Sequence, residues 1–278
     1  MKFFNYKIAN IIFSINFESH SLIYCRYDDK KDYNWRIIIS IKEIINNESG
    51  YMYEVFVNNE IGYSFDNIQK IIHVDAINYD LFIRTFFTYP LQRICFLENS
   101  FLVHAAACSR NKSCLNLFMG ECGVGKSTLC DCLKDQFSII SDDGIKVVLI
   151  DNKIYYYPTA PFIKIKKYND KKDIIPIEDF NINYEFYNAN IFVLERFESD
   201  YYRIKTVEDE YIKRLLLMKN IKNIFNKKLL KNTNNIKKII EELLKCNMFL
   251  MFIPNDIKKL NKWETKLCEE ILYWENSK

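Results

Sequence analysis

A glycine-rich segment after a short apolar run constrains this chain more than any other feature of its sequence. Residues 120–128 read GECGVGKST and match the phosphate-loop pattern G-x-x-x-x-G-K-[ST] at every fixed position. Residues 115–119 predict a buried strand before it, and Leu129 and Leu133, on one face, predict a helix after it. We expect nucleotide contacts from Gly120, Glu121, Cys122, Gly123, Val124, Gly125, Lys126, Ser127 and Thr128.

The chemistry of such a loop assigns roles to its residues. Free backbone N–H groups and the dipole of the following helix both attract anions. Lys126 is expected to reach the β- and γ-phosphates, and the hydroxyl of Ser127 is expected to bind magnesium. The sequence therefore predicts that the chain binds ATP, or another nucleoside triphosphate, together with Mg²⁺.

Paired carboxylates form the second feature. Asp142 and Asp143 end the predicted strand 137–141, which follows the loop helix, so we expect that strand to be a parallel neighbour of 115–119, or nearly so. Both strands then end at one sheet edge, where one carboxylate can hold the metal and the other can act as general base. The alternative is that Asp-Asp-Gly is simply a turn, since these residues are common in turns.

His104 is the third candidate, because it lies in the predicted strand 101–107, just before the phosphate-loop strand. If these strands pair, the imidazole can face the nucleotide. A single histidine in an apolar strand is, however, commonly a hydrogen-bonded core residue, and the sequence leaves both interpretations open.

Composition narrows the class of protein. The chain has 278 residues, 49% of them hydrophobic, which suffices for one large or two modest domains. The net charge is +3 and the lysines are scattered, so nothing favours nucleic-acid binding. No apolar run approaches the roughly 20 residues of a membrane span. Nine cysteines without a C-x-x-C pair argue against zinc and indicate a reduced, cytoplasmic protein.

The pattern of elements indicates an α/β protein in two parts. Residues 1–97 predict antiparallel strands followed by a helix over 80–97 that Pro90 divides, and residues 98–278 predict the nucleotide domain. A hairpin is expected around Asp151-Asn152, and the polar segment 166–178 is the candidate for a mobile loop over the site. The remaining predicted elements are strands 8–17, 21–26, 35–41, 51–57, 71–74, 162–166, 191–194 and 248–253, and helices 209–225, 233–246 and 257–274.

The segment 102–107 (LVHAAA), the glycine loop and 139–143 (IISDD) together resemble the core of the HPr kinase/phosphorylase-related family. The resemblance covers about residues 98–165. It implies the P-loop architecture shared with phosphoenolpyruvate carboxykinases, here with a β-rich N-terminal and a helical C-terminal part. It also implies phosphoryl transfer from ATP to a serine. Family roles would fall on Lys126 and Ser127, on Asp142 or Asp143 as base and metal ligand, and on His104 as a phosphate contact.

The chain departs from that family at two places. Cys122 stands where Ser or Thr is usual, and 161–166 (PFIKIK) replaces the LEIRGLG stretch of the bifunctional HPr enzymes. Reverse phosphorylase activity, HPr as substrate and ring-shaped hexamers are therefore in doubt. The small N-terminal part looks more like the shorter kinases of lasso-peptide and other ribosomally made precursor peptides. Lys164 and Lys166 could meet phosphates or an acidic peptide, or form an ordinary solvated strand edge.

The function that this combination predicts is transfer of a phosphoryl group to a Ser or Thr hydroxyl of a peptide or small protein. Three alternatives stay open. A nucleotide-hydrolysing switch would use Asp142 and Asp143 to position water. A small-molecule kinase stays open, although no small-substrate motif is recognisable. A non-catalytic peptide-binding module is the third alternative, against which the intact loop and the two aspartates argue.

Overall fold

The computed structural model describes residues 2–18, 25–26, 34–42, 55–57, 60–87, 89–111, 113–166, 172–177, 180–181, 183–221 and 233–276. The chain forms two compact units, one of residues 1–94 with 181–183 and the other of 95–180 with 184–278. The division into a domain of residues 1–97 and a nucleotide domain of residues 98–278 stays a prediction. In the described part of the chain, no helix has both the length and the apolar character needed to cross a membrane.

The first unit contains a six-stranded sheet in the order β1-β2-β3-β6-β5-β4. The expectation of a purely antiparallel sheet was wrong, because β3 lies parallel to both β2 and β6. β5, which starts at Ile61, was not among the predicted strands. Predicted segments 21–24 and 51–54 lie outside the described residues. The strands are β1 (Phe4–Ile8), β2 (Ile11–Ile15), β3 (Trp35–Ile41), β4 (Val55–Val57), β5 (Ile61–Asp66) and β6 (Ile71–Ala76).

The predicted helix over 80–97 is divided, as expected, into α1 (Tyr79–Phe86) and α2 (Tyr89–Leu97). Pro90 lies in the first turn of α2, where a missing N–H group disrupts no helical hydrogen bond. Asn78 caps α1, since its side-chain oxygen accepts a hydrogen bond of 2.8 Å from the N–H of Leu81. Phe82 and Phe86 are fully buried, and the ring of Phe86 meets that of Phe13 edge to face.

The second unit is built around a six-stranded sheet in the order β10-β8-β9-β15-β17-β16. Its centre is parallel, with β15 between β9 and β17, and β16 pairs antiparallel with β17 at one margin. The strands of this sheet are β8 (Ala105–Ser109), β9 (Leu115–Met119), β10 (Ser138–Ser141), β15 (Ala189–Phe197), β16 (Arg203–Thr206) and β17 (Asn247–Pro254). The preceding strand, β7 (Ser100–Val103), belongs to another sheet.

The single predicted strand 101–107 is two strands in the structure. His104 separates β7, which pairs with β11 (Ile145–Ile150), from β8, which pairs with β9. A further correction concerns β10, which does not neighbour β9. It pairs antiparallel with β8, and β8 pairs antiparallel with β9. Two reversals restore the direction, so β9 and β10 run the same way and end at the same sheet edge.

Helices cover both faces of this sheet. Every residue of β9 is accordingly buried, although successive side chains alternate between the faces. Leu115, Leu117 and Met119 pack in a core that includes the apolar side of α5 (Thr233–Leu244). Phe118 packs on the other face with α3 (Lys126–Leu133) and α6 (Glu264–Asn276). The remaining helices of this unit are α4 (Glu210–Asn220) and a 3₁₀-helix over Ile257–Trp263.

Three asparagines form a hydrogen-bonded row across the parallel strands at the edge opposite the glycine loop. Asn247 donates to Asn190 at 3.1 Å, and Asn190 donates to Asn116 at 3.4 Å. Asn116 in turn donates to Glu275 Oε1 of α6 at 2.6 Å. The row satisfies buried amides and ties α6 to the sheet.

Two small sheets complete the unit. β11 pairs with β12 (Lys153–Pro158) in the predicted hairpin, and Asp151 and Asn152 at its turn have φ of 50° and 60°, as this kind of turn requires. β13 (Phe162–Lys166) pairs with β14 (Lys172–Pro176). The segment 166–178, predicted to be a loop, therefore contains a strand. Residues 167–171 and the side chains of Lys164 and Lys166 lie outside the described part.

Candidate functional site

The glycine loop follows β9 directly and ends at the first turn of α3, as the sequence predicts. Gly120, Gly123 and Gly125 have φ of 147°, 83° and 113°, which are values that side chains with a Cβ disfavour. Gly120 has a second constraint, because a Cβ there would lie 2.9 Å from Val124 Cγ1 and 3.0 Å from the carbonyl oxygen of Leu194. The glycines thus allow the backbone to curve tightly against β15.

Lys126 is nearly buried, and its ammonium group is turned onto the loop itself. Nζ donates hydrogen bonds to the carbonyl oxygens of Gly120 at 2.8 Å and Glu121 at 3.0 Å. Ser127 lies next to it in the first helical turn and is half-buried. The positive charge is therefore held beside the first residues of the loop, where a bound phosphate could replace the carbonyl oxygens as partners.

The turn after β10 fixes the two carboxylates. The carbonyl oxygen of Gly144 accepts hydrogen bonds from the hydroxyl groups of Ser141 at 2.8 Å and Thr159 at 2.7 Å. A Cβ on Gly144 would approach Thr159 Oγ1 to 3.2 Å, so the residue is also constrained by space. Asp142 is buried and Asp143 half-buried, which is unusual for an ordinary turn.

His104 lies beside the second of these carboxylates. Its Nε2 is 3.6 Å from Oδ1 of Asp143, and both side chains keep some exposure to solvent, 24% and 16%. The contact is an ion pair when the imidazole is protonated. His104 is thus oriented toward the candidate site. It is not packed in the core, where the alternative interpretation would place it.

The topology brings these groups to one sheet edge. Gly120 follows the last residue of β9, His104 precedes the first residue of β8, and Asp142 follows the last residue of β10. With neighbouring strands about 4.8 Å apart, the ends of β9 and β10 lie roughly 10 Å from each other. That span suits a magnesium ion and phosphate oxygens between opposing side chains. Ser127, Asp142 and Asp143 supply the hard oxygen donors that Mg²⁺ prefers.

A pocket of about 410 Å³ opens beside the loop on its β15 side. Val193 and Leu194 contribute apolar walls, while Glu195 and Arg196 extend beyond the edge where β9 ends. Arg196 donates to the carbonyl oxygens of Pro254 and Asn255, so its guanidinium group is held in place. The pocket reaches α4, whose residues Leu216, Lys219 and Asn220 line its far side.

Sequence reasoning missed several residues of this region. Glu195 and Arg196 carry a usable signal, because polar residues that follow a buried parallel strand lie at its carboxyl end. Lys219 carries no such signal. It lies in the last turn of α4, far along the chain, yet its Nζ lies 3.0 Å from Glu121 Oε1 in the glycine loop.

Comparisons with known proteins find a likeness among solved structures but none at the level of sequence families. No protein-family model matches the chain, and no curated protein matches its sequence. Among solved structures, it is similar to the Hpr(Ser) kinase/phosphatase from Coxiella burnetii, with 17% sequence identity and a TM-score of 0.35. The match covers 63% of this chain and 99% of that one. Neither value supports a residue-by-residue transfer of function, so the residues of this chain must support any proposal.

Proposed function

We propose that this chain is an ATP- and Mg²⁺-dependent kinase that transfers the γ-phosphoryl group to a Ser or Thr hydroxyl of a peptide or small protein. A ribosomally made precursor peptide is the acceptor that we favour. The core would be of the HPr kinase type. One observation carries the proposal: a phosphate-loop sequence between a strand and a helix shares its sheet edge with two adjacent aspartates and a histidine.

Phosphate binding is the role of the loop. Its backbone N–H groups and the N-terminus of α3 would bind the phosphates, and Lys126 would leave the carbonyl oxygens of Gly120 and Glu121 for the β- and γ-phosphates. Ser127 and Asp142 would hold Mg²⁺, which when bound neutralises the charge of the phosphate oxygens. Positioning and charge neutralisation of this kind supply most of the rate acceleration in phosphoryl transfer.

Proton removal is the role of the remaining carboxylate. Asp143 is more exposed than Asp142 and is contacted by His104, so we assign it as the general base. The acceptor oxygen forms a bond to the γ-phosphorus while the bond from that phosphorus to the β–γ bridging oxygen breaks. The hydroxyl proton passes to the carboxylate, and ADP leaves with the bridging oxygen.

Labelled ATP separates this function from its rivals. Incubation with γ-labelled ATP, Mg²⁺ and a serine-containing precursor peptide should place the label in the peptide. Label in free phosphate alone would favour the hydrolysing switch, and label in a small metabolite, when a metabolite mixture replaces the peptide, would favour the small-molecule kinase. The Lys126→Ala variant should abolish transfer, and Asp142→Asn should reduce it strongly.

The neighbouring reading frames provide an independent indication. A gene for a short peptide next to this one would favour a precursor peptide as acceptor. Mass spectrometry of that peptide, after incubation with the enzyme and ATP, should then show the gain of one phosphoryl group on a serine or threonine.

A further inference from the structure

The end of α4 is attached to the same sheet edge as the candidate site. Ile221 forms a β-bridge with Val103, and the N–H of His104 donates to the carbonyl oxygen of Asn220 at 3.4 Å. Leu217, one turn earlier, is fully buried in the core. Backbone contacts and packing thus fix the position from which the side chain of Lys219 extends.

Lys219 forms an ion pair with the glycine loop that is weak enough to exchange. Its Nζ lies 3.0 Å from Glu121 Oε1, with 60% and 75% of the two side chains exposed. The carboxylate of Glu121 raises the pKa of Lys219, so the amine stays protonated. Exposed pairs of this kind contribute little to stability, so little opposes their replacement by a more highly charged anion.

The position of Lys126 indicates which phosphate would lie near this pair. The P-loop lysine serves the β- and γ-phosphates, and here its Nζ is bonded to Gly120 and Glu121. Those phosphates should therefore lie beside the first residues of the loop, not at Thr128. Lys219 lines the pocket formed with these same residues.

On this basis, we infer that Lys219 is a γ-phosphate ligand that exchanges the carboxylate of Glu121 for a terminal phosphate oxygen when a triphosphate binds. The inference rests on the proposed nucleotide-binding function and adds a residue to it. Glu121 then acts as an internal competitor that occupies the ammonium group while no nucleotide is bound. A lysine placed in this way stabilises the charge on the transferred group from within the chain, as arginine fingers do in other phosphoryl-transfer enzymes.

A comparison of triphosphate and diphosphate affinities tests this role. The affinities for adenosine 5′-(β,γ-imido)triphosphate and ADP, each with Mg²⁺, can be measured by titration calorimetry. We expect Lys219→Met to weaken triphosphate binding about tenfold and to change ADP binding less than about twofold. Lys219→Arg should retain the preference for triphosphate, and Glu121→Gln should strengthen triphosphate binding because the competitor is neutral.

The matched control is Lys245→Met, which removes another exposed ion pair, at 2.6 Å from Glu242, away from the loop. It should leave both affinities unchanged. Equal losses for both nucleotides in Lys219→Met, or no loss, would overturn the inference, since a merely structural pair has no reason to distinguish them.

Nucleotide binding, which the proposed function requires, is tested separately in the same titrations. If Lys126→Ala abolishes binding and Lys219→Met leaves the ratio of the affinities unchanged, the inference about Lys219 is wrong and nucleotide binding at the loop stands. If the unmodified protein binds neither nucleotide, both are wrong.

Discussion

Nε2 of His104 lies 3.6 Å from Oδ1 of Asp143, although one residue precedes the glycine loop in the chain and the other follows its helix. The pairing arises because β8 lies between β9 and β10, so the start of β8 adjoins the end of β10. A short strand inserted in this way gives the aspartate a partner that can orient its carboxylate.

The first prediction concerns this pair. Asp143→Asn should lower phosphoryl transfer by about 10²–10⁴-fold, which is the usual contribution of a general base. His104→Gln should lower it less, and the double variant should be no slower than Asp143→Asn, because a histidine that acts through the carboxylate has no further effect. Nucleotide affinity should change little in all three variants.

Single-turnover transfer rates and calorimetric affinities provide these values, with Asp151→Asn in the exposed β11–β12 turn as control. Transfer by Asp143→Asn at the rate of the unmodified protein would refute its assignment as base. Strictly additive losses in the double variant would show that His104 acts separately, for example on a phosphate.

A second prediction uses Cys122, which is exposed in the glycine loop, whereas the other eight cysteines are buried or half-buried. Iodoacetamide should therefore react first at Cys122. Saturating ATP with Mg²⁺ should slow this reaction about tenfold or more, because phosphates in the loop cover the thiol. Peptide mass spectrometry identifies the modified residue, and the Cys122→Ser variant, which keeps the backbone groups, should bind nucleotide normally. Alkylation at an unchanged rate would place the nucleotide elsewhere.

The third prediction compares two glycines of the loop. Gly123→Ala should destabilise the protein by about 1–2 kcal/mol, because a φ of 83° is unfavourable for a residue with a Cβ. The added Cβ itself makes no clash, since no atom lies within 4 Å of it. Gly120→Ala adds close contacts with Val124 and Leu194, so it should cost a further 1–3 kcal/mol or so. Urea unfolding of both variants measures the difference. Equal losses would mean that the loop relaxes away from β15 at little cost.

A fourth prediction concerns pH and Glu275. Burial raises the pKa of this carboxyl group above its usual value, and the hydrogen bond from Asn116 offsets this in part. The folded state thus favours the protonated form. The stability that this group contributes is complete below its unfolded pKa and is lost as pH rises through its folded pKa.

Glu275→Gln keeps an acceptor for Asn116 without the charge, so it should be more stable than the unmodified protein at pH 7. The advantage should vanish below about pH 4, where an unfolded glutamate is itself protonated. Urea unfolding between pH 4 and 8 measures it, with Glu269→Gln, exposed on the same helix, as control. A constant advantage at every pH would contradict the assigned cause.

Local signals in the sequence were sufficient for the parts of the fold that depend on neighbouring residues. The strand before the loop and its helix follow from a short apolar run and a 3.6-residue repeat. The hairpin at Asp151-Asn152 follows from two residues that tolerate positive φ. By contrast, β16 (Arg203–Thr206) was missed, because an exposed edge strand of mostly polar residues has no hydrophobic alternation.

Long-range pairing could not be predicted in the same way. Nothing in residues 101–107 indicates that β7 and β8 belong to different sheets, or that β8 separates β9 from β10. The shared edge of Gly120 and Asp142 was expected, but through direct pairing of their strands and not through an intervening one. Lys219 was missed for a related reason, since only the tertiary fold brings α4 to the loop.

The β11–β12 hairpin offers a practical handle for following this protein in solution. β11 starts just after Asp143-Gly144 and extends for six residues, so its turn lies about 20 Å from the carboxylates. Lys153, the first residue of β12, is exposed. A cysteine placed at Lys153 could carry a fluorophore, in a variant whose exposed loop thiol, Cys122, is replaced. Energy transfer between this fluorophore and a labelled nucleotide or peptide would then report when that ligand binds and dissociates.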